Sequence, residues 1–333
     1  MHGLEVEQIV DVTTGEISYI TPFVGKDTPW WNNLTNKNKY TNQPYTMQAT
    51  VIESITLDDI KKYTNVDNTC IEKKPYYYDA TSNNFSNNVF YLSRTDNNFI
   101  VNDNVSSRYK IIQHSYSLER AEELRGKFSK LSYYSSGVLF GGTLFWVQLE
   151  QDAGYVVNDD KVLLTLIFLS NHAGSNCIYT TIQRVVCNNT LQISLSNTHQ
   201  QLFVTHIGNT SLNYDQLLNA FDADSMQFQD SLEMFKYWNN IDVNHNEVEE
   251  LIRYSLNLQE AEDFKDNYLY QNALRLIEEQ KGVELLKGKY TAYRVFNALT
   301  EATQHIRKNR IYHALFGKVT NIIDRFKSKL NNL

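Results

Sequence analysis

"KVLLTLIFLSNHAGSNCIYTTIQRVVCNNTL", residues 161–191, sets two apolar arms about the polar break "NHAGSN". Leu, Val, Ile and Phe fill the first arm, and the break carries Asn, Gly and Ser. The segment therefore reads as two strands joined by turn chemistry. Paired as a hairpin, these strands put His172 and the "RVVCNNT" end about 30 Å apart, at about 3.3 Å per residue. The two are not joined into one site on this basis.

Upstream, "SGVLFGGTLFWVQLE" (136–150) holds Gly141 and Gly142 between two further apolar arms. Both turn residues can take positive φ, so the pair signals a two-residue hairpin. Before it, "SLERAEELRGKFSKL" (117–131) reads as a helix with Ser117 as N-cap. Leu118, Ala121, Leu124, Phe128 and Leu131 form its apolar stripe. Residues 51–115 read as strands and loops, among them "RYKIIQ" (108–113). Residues 1–50 read as irregular, with a turn-rich "TPWWNNL" at 28–34. Downstream, "QLFVTHIGN" reads as a short strand or the lead-in to a helix.

After residue 212 the apolar period becomes that of helices. "SMQFQDSLEMFKYW", "NEVEELIRYSL", "DNYLYQNALRLIEEQ", "TAYRVFNALTEATQHIR" and "ALFGKVTNIIDRFKSKL" all fit it. The expected fold is α+β: an antiparallel β-rich core with at least one packed helix, followed by an all-helical C-terminal region. The expected domains are a core over 1–215 and a helical domain over 216–333.

Hydrophobic residues make up 42% of the 333 positions, enough for a true core and too many for a disordered chain. The net charge of -7 argues against a generic polyanion binder. Charge divides within the helical part. Residues 222–280 hold 14 acidic and 4 basic side chains, and 281–333 hold 3 acidic and 11 basic. Attraction between the two segments ranks ahead of a basic face open to a polyanion. Three cysteines, Cys70, Cys177 and Cys187, without a CxxC pair, argue against a disulfide framework or a cysteine zinc site. A reducing host cytoplasm is the expected compartment. No apolar run approaches a membrane span, and no signal peptide is read.

Two constellations carry chemistry. In "RVVCNNT", Arg184 suits bidentate contact with a phosphate or carboxylate. Asn188, Asn189 and Thr190 suit base contacts, but turn formation ranks first for them. Cys187 ranks as a small buried hydrophobe before a nucleophile. In "FNALTEATQH", Asn297, Glu301 and His305 form one polar stripe at i, i+4 and i+8. An inter-helix hydrogen-bond network is preferred there over a metal or acid–base site, because no third ligand lies nearby. Phosphate-loop, GxGxxG, HExxH and GxSxG patterns are absent. The sequence assigns no catalytic residue, no cofactor and no metal, and favours a binding protein over an enzyme.

Several segments together resemble the phage/plasmid-like protein family, the domain of unknown function 932. They are "TPWWNNL", "VSSRYKIIQHSYSLERAEEL", "GVLFGGTLFW", "LSNHAGSNCIYTTIQRVVCNNTL" and "YTAYRVFNALTEATQHIR", in the family's order over roughly residues 28–330. The chain departs from the family pattern after Trp30 and Trp31, where a His-Gly pair is frequent, and at His114, where Asn is usual. The resemblance implies a protein of phages, plasmids and other mobile genetic elements, and brings no agreed activity.

The first expectation is therefore a mobile-element protein of DNA metabolism that binds or anneals single-stranded DNA, as recombination proteins do. Tyr and Phe would stack bases. Arg108, Lys110, Arg184, Asn188, Asn189, Arg307, Lys308, Arg310, Lys318, Arg325 and Lys329 would contact the strand. The alternative is a non-enzymatic interaction protein acting on a host protein through its helical region. An enzyme using the Glu301–His305 stripe ranks last. No membrane partner is expected, and a homo-oligomer is compatible with the sequence.

Overall fold

The two glycines at the centre of the chain adopt the positive φ expected of them, 67° at Gly141 and 102° at Gly142. The connection is longer than a two-residue turn, because Phe140–Gly142 forms a 3₁₀ turn between its strands. A computed structural model describes residues 8–10, 17–26, 35–37, 44–75, 78–79, 84–85, 89–96, 98–156, 160–173, 176–184, 189–191, 202–204, 206, 230–279, 283, 290–305 and 320–333. The fold is α+β, with its helices mainly in the C-terminal part.

The strands, in chain order, are β1 (Gln8–Val10), β2 (Ile17–Gly25), β3 (Thr35–Lys37), β4 (Pro44–Val51), β5 (Ile71–Pro75), β6 (Tyr78–Asp79), β7 (Asn84–Phe85) and β8 (Val89–Arg94). They continue as β9 (Ile100–Ser106), β10 (Leu131–Leu139), β11 (Leu144–Tyr155), β12 (Lys161–Asn171), β13 (Asn176–Arg184), β14 (Asn189–Leu191) and β15 (Leu202–Val204). The helices are α1 (Leu57–Thr64), α2 (His114–Lys127), α3 (230–238), α4 (His245–Ser255), α5 (Tyr268–Glu279), α6 (Ala292–His305) and α7 (Thr320–Leu330).

One sheet runs β14-β13-β12-β11-β10-β2-β4-β3, with β1 added on β2 and β15 on β13. A second has the order β5-β8-β9, and β6 pairs with β7. The apolar arm at 161–171 is the interior strand β12, buried at every position from Val162 to Ser170. Burial on both faces explains why it lacks polar alternation. By contact, the chain divides into two compact units. The first is Met1–Glu150, Leu166–Tyr179 and Gln200–Leu218; the second is Gln151–Thr165, Thr180–His199 and Asn219–Leu333.

In the first unit, Trp146 is buried against Phe23, and its indole N–H donates to Ser135 Oγ at 3.2 Å. Gly137 lies beneath that ring, where a Cβ would come within 2.2 Å of Trp146. Only glycine fits so close an approach. The β5-β8-β9 sheet has its own core of Ile71, Leu92, Val101 and Val105.

The N-terminal region departs from the irregular structure expected of it. β2 and β4 pair in parallel from Tyr19↔Tyr45 to Gly25↔Val51. This pairing is non-local, so neither strand carries a nearby hairpin signal. "TPWWNNL" lies outside the described residues. Helix α1 was not expected; it is started by a capping box in which Thr56 and Asp59 satisfy each other's backbone N–H. Helix α2 begins at His114, three residues before the expected cap, and Ser117 is buried inside it. Phe128 is its C-cap, and Leu131 already belongs to β10. Within "RYKIIQ", residues 109–113 are irregular.

In the second unit the amphipathic segments form helices as their period requires. Asn244 caps α4 through a capping box with Glu247. Phe235, Trp238, Phe296 and Phe326 form the aromatic centre, with ring centroids 5.0–5.8 Å apart. Among the described residues, no helix is long and apolar enough to cross a membrane.

Candidate functional site

Three histidines that lie far apart in sequence meet in the first unit. His114 opens α2, His172 follows β12, and His206 follows β15. Topology explains the meeting. β15 pairs antiparallel with β13 so that Val204 lies opposite Asn176, which returns residue 206 to the turn holding His172. The ring centroids of His114 and His172 are 4.7 Å apart, and those of His172 and His206 are 5.6 Å apart. Tyr109 stacks on His206 at 4.4 Å, with 12° between the planes. All three imidazoles are buried.

Each ring has a distinct bonding pattern. His114 Nε2 donates to the Gly142 carbonyl at 2.7 Å, which leaves Nδ1 to accept from Ser170 Oγ at 2.8 Å. That pattern belongs to a neutral ring. Burial pushes its pKa down to about 4; the Gly142 carbonyl opposes the shift, while Arg94 and His206 add to it. Gly142 is doubly constrained, since its φ is positive and a Cβ would sit 2.9 Å from Arg94 Cδ.

His172 is held well below the ordinary imidazole range by burial, then by His114 and His206. Its Nδ1 lies 3.3 Å from the Tyr109 hydroxyl, and its Nε2 has no partner among the described residues. Its backbone is fixed by the Thr143 carbonyl at 2.8 Å and by the Asn102 amide at 2.7 Å. Burial also raises the Tyr109 phenol above its ordinary value.

His206 Nδ1 lies 2.9 Å from the Lys110 carbonyl and Nε2 lies 3.1 Å from the Asn171 carbonyl. The ring nitrogens of His114 and His206 are therefore committed to protein partners. Among the described residues, no group of three His, Cys, Asp or Glu side chains is placed to hold a metal ion. His172 is sealed from solvent. The cluster thus backs the surface that carries Tyr109 and Lys110.

That surface is the loop between β9 and α2. Arg108 and Lys110 are exposed on either side of Tyr109. Lys73 ties the loop down: its Nζ donates to the carbonyls of Ser107 at 2.9 Å and Tyr109 at 3.0 Å, and it lies over the Phe90 ring. Lys73 and Arg108 make no ion pair among the described residues. The loop was legible as cationic, but the histidines beneath it were not. "SNHAGSN" and "VTHIGN" become informative only once β13 and β15 are paired.

The remaining expected residues fall in the second unit or outside the described residues. Arg184 ends β13 and pairs by backbone with Asn189 of β14. Asn188, Arg307, Lys308, Arg310 and Lys318 lie outside the described residues. Arg325 donates to the Ser255 carbonyl at 3.4 Å, and Lys329 pairs with Glu250 at 2.6 Å. Helix α4 thus engages part of the basic stripe on α7, in the manner of attraction between the two charged segments.

Asn297 is buried and donates to the Tyr293 carbonyl at 2.9 Å. Glu301 is buried one turn further along, and His305 ends the helix. Glu301→Ala is expected to lower stability by about 1–3 kcal/mol, the cost of losing a buried polar partner. Urea unfolding would measure it, and an unchanged midpoint would rule out a structural role.

The family model for the domain of unknown function DUF932 matches residues 102–328. The chain belongs to that family, and the matched span takes in the cationic loop, all three histidines and the helices up to α7. No curated protein and no solved structure matches the chain.

Proposed function

We propose that this chain is a phage or plasmid protein of DNA metabolism that binds single-stranded DNA, with the 106–110 loop as a contact surface. The observation that carries this reading is the placement of Arg108 and Lys110 at the surface on an anchored loop. Anchoring matters because a pre-positioned cation loses less freedom when it meets a phosphate. Lys73 adds a third positive charge beneath the loop. The family resemblance to proteins of mobile elements supplies the biological setting.

Fluorescence anisotropy with a labelled oligothymidylate tests it. The expected result is binding that weakens steeply with salt. Arg108→Glu with Lys110→Glu should lower affinity about tenfold or more, and flatten the salt slope by about 0.7 per lost phosphate contact. A well-folded protein that binds no oligonucleotide at low salt, or a double variant that binds like the parent, would sink the proposal.

A second reading, an interaction protein acting on a host protein through its helical region, is favoured by Tyr237 and Tyr268. They are 64% and 63% exposed, unusually open for aromatic side chains. Under that reading, Tyr237→Ala with Tyr268→Ala abolishes a cross-link to a host protein that the loop variant leaves intact.

A further inference from the structure

We infer that the chain pairs with a second copy of itself, the Arg108–Lys110 loop of each copy docking in a groove between α1 and α2 of the other. The groove has a volume of about 350 Å³. Leu57 of α1 and Leu118 of α2 form its apolar part, and Asp67, Glu119, Glu122 and Glu123 line it with carboxylates. Lys61 lies 2.8 Å from Asp67, which holds its ammonium above the ordinary lysine range; burial opposes this, and Asp58 and Glu119 add to it. Arg120 lies 2.7 Å from Glu123 and 4.0 Å from Glu119, and Arg125 lies 2.6 Å from Glu122. Five carboxylates thus share three cations as ion partners. Glu119 is the most weakly engaged of those lining the groove, with a side chain 62% exposed.

Charge and shape select the occupant. A groove with surplus carboxylate beside apolar carbon suits a guanidinium on an aliphatic stem, because the head bonds the carboxylates while the stem covers the leucines. Arg108 is such a group on the same unit: it is exposed and makes no ion pair among the described residues. Lys73 holds its loop through the Ser107 and Tyr109 carbonyls, so the loop meets a partner already shaped. The two patches are neighbours. Ser115 of the groove follows Lys110 after one short segment, which spans at most about 18 Å even fully extended. An interface of standard size covers about 800 Å² per copy, a patch about 30 Å across, so one interface takes in both. Adjacent patches of opposite sign are self-complementary: a two-fold axis between them sets each on its opposite and closes the pair. The loop is the one proposed to meet DNA, so a strand and a second copy would compete for it, but the dimer does not depend on that reading.

Sedimentation velocity of the full chain, without DNA, tests the pairing. The parent should be a dimer at about 0.05 M salt and dissociate toward monomer at about 0.5 M, as screening weakens charges at an interface rim. Arg108→Glu with Lys110→Glu should weaken the dimer about a hundredfold or more, because like charges then face each other, and so should Glu119→Lys with Glu123→Lys. All four side chains are exposed, which favours a retained fold. Mixing the two folded variants should restore a dimer with one copy of each, since the reversed loop meets the reversed groove and the unaltered loop meets the unaltered groove. Should either variant not fold, the parent decides: carbodiimide treatment of mixed isotope-labelled and unlabelled chains should join Lys110 of one copy to Glu119 or Glu123 of the other. A parent monomeric at low salt, a dimer indifferent to both reversals, a mixture of folded variants that stays monomeric, or a parental dimer without that cross-link overturns the proposal. None of these outcomes touches the DNA reading, and failure to bind oligothymidylate leaves the dimer in place.

Discussion

Acidification from about pH 6.5 to about pH 4 should remove about 3 kcal/mol of stability through His114 alone. In the folded protein this ring is fully buried and its pKa is pushed down to about 4, against about 6.5 in an unfolded chain. The unfolded state therefore binds more protons in that interval, and stability falls as pH falls. The contribution is complete above the unfolded value and is lost once the pH has passed through the folded one. His172 acts in the same direction for the same reason. Glu122, held low by Arg125 and then by Tyr133, protonates only below the usual carboxylate range. Urea unfolding at a series of pH values measures the effect. His114→Gln keeps a donor for the Gly142 carbonyl but cannot titrate. It should begin about 1 kcal/mol less stable at pH 7, cross the parent near about pH 6, and be about 2 kcal/mol the more stable of the two near about pH 4. Parallel curves for the two proteins would show that His114 does not titrate as described.

Phe296→Ala should cost about 3–5 kcal/mol, the usual range for emptying a fully buried aromatic site. Phe296 is wholly buried at the centre of the second unit, its ring 5.7 Å from Phe235, 5.1 Å from Trp238 and 5.4 Å from Phe326. Truncation leaves a void among aromatic rings that cannot close without moving α3 and α7 together. Phe296→Leu retains most of the volume and should recover at least half of the loss. Guanidinium unfolding followed by Trp fluorescence reports it, because Trp238 is in direct contact. A loss below about 1 kcal/mol would mean that the aromatic centre is not packed as described.

What could be read from the sequence was whatever local physics decides. The change of period after residue 212 gave helices where α3 to α7 lie, because an apolar stripe repeating every 3.6 residues must be buried as a helix. Gly141 and Gly142 marked a reversal because positive φ is cheap only for glycine. The cationic character of the loop at Arg108 and Lys110 was also visible, since charge is a property of single residues. The start of α2 was misplaced for a reason that is not local. Its first turn is held by the ring of His114 on Gly142 and Ser170, not by the hydroxyl of Ser117. In the same way β2 and β4 pair across an intervening strand, so no turn signal announces them.

The histidine cluster belongs entirely to the tertiary structure. Each histidine taken alone sits at an element's end beside polar neighbours, with no spacing motif. Only the pairing of β15 on β13 and the entry of α2 beside β12 bring the rings within 6 Å. Burial then decides the chemistry of His114 and His172, because an imidazole that titrates near neutrality in water is held neutral once desolvated. The sequence by itself determined the strands from β10 to β13, the C-terminal helices and which side chains carry positive charge. The folded chain decided which buried groups stand behind that charge, since contacts between distant residues exist only after the sheet has set their register.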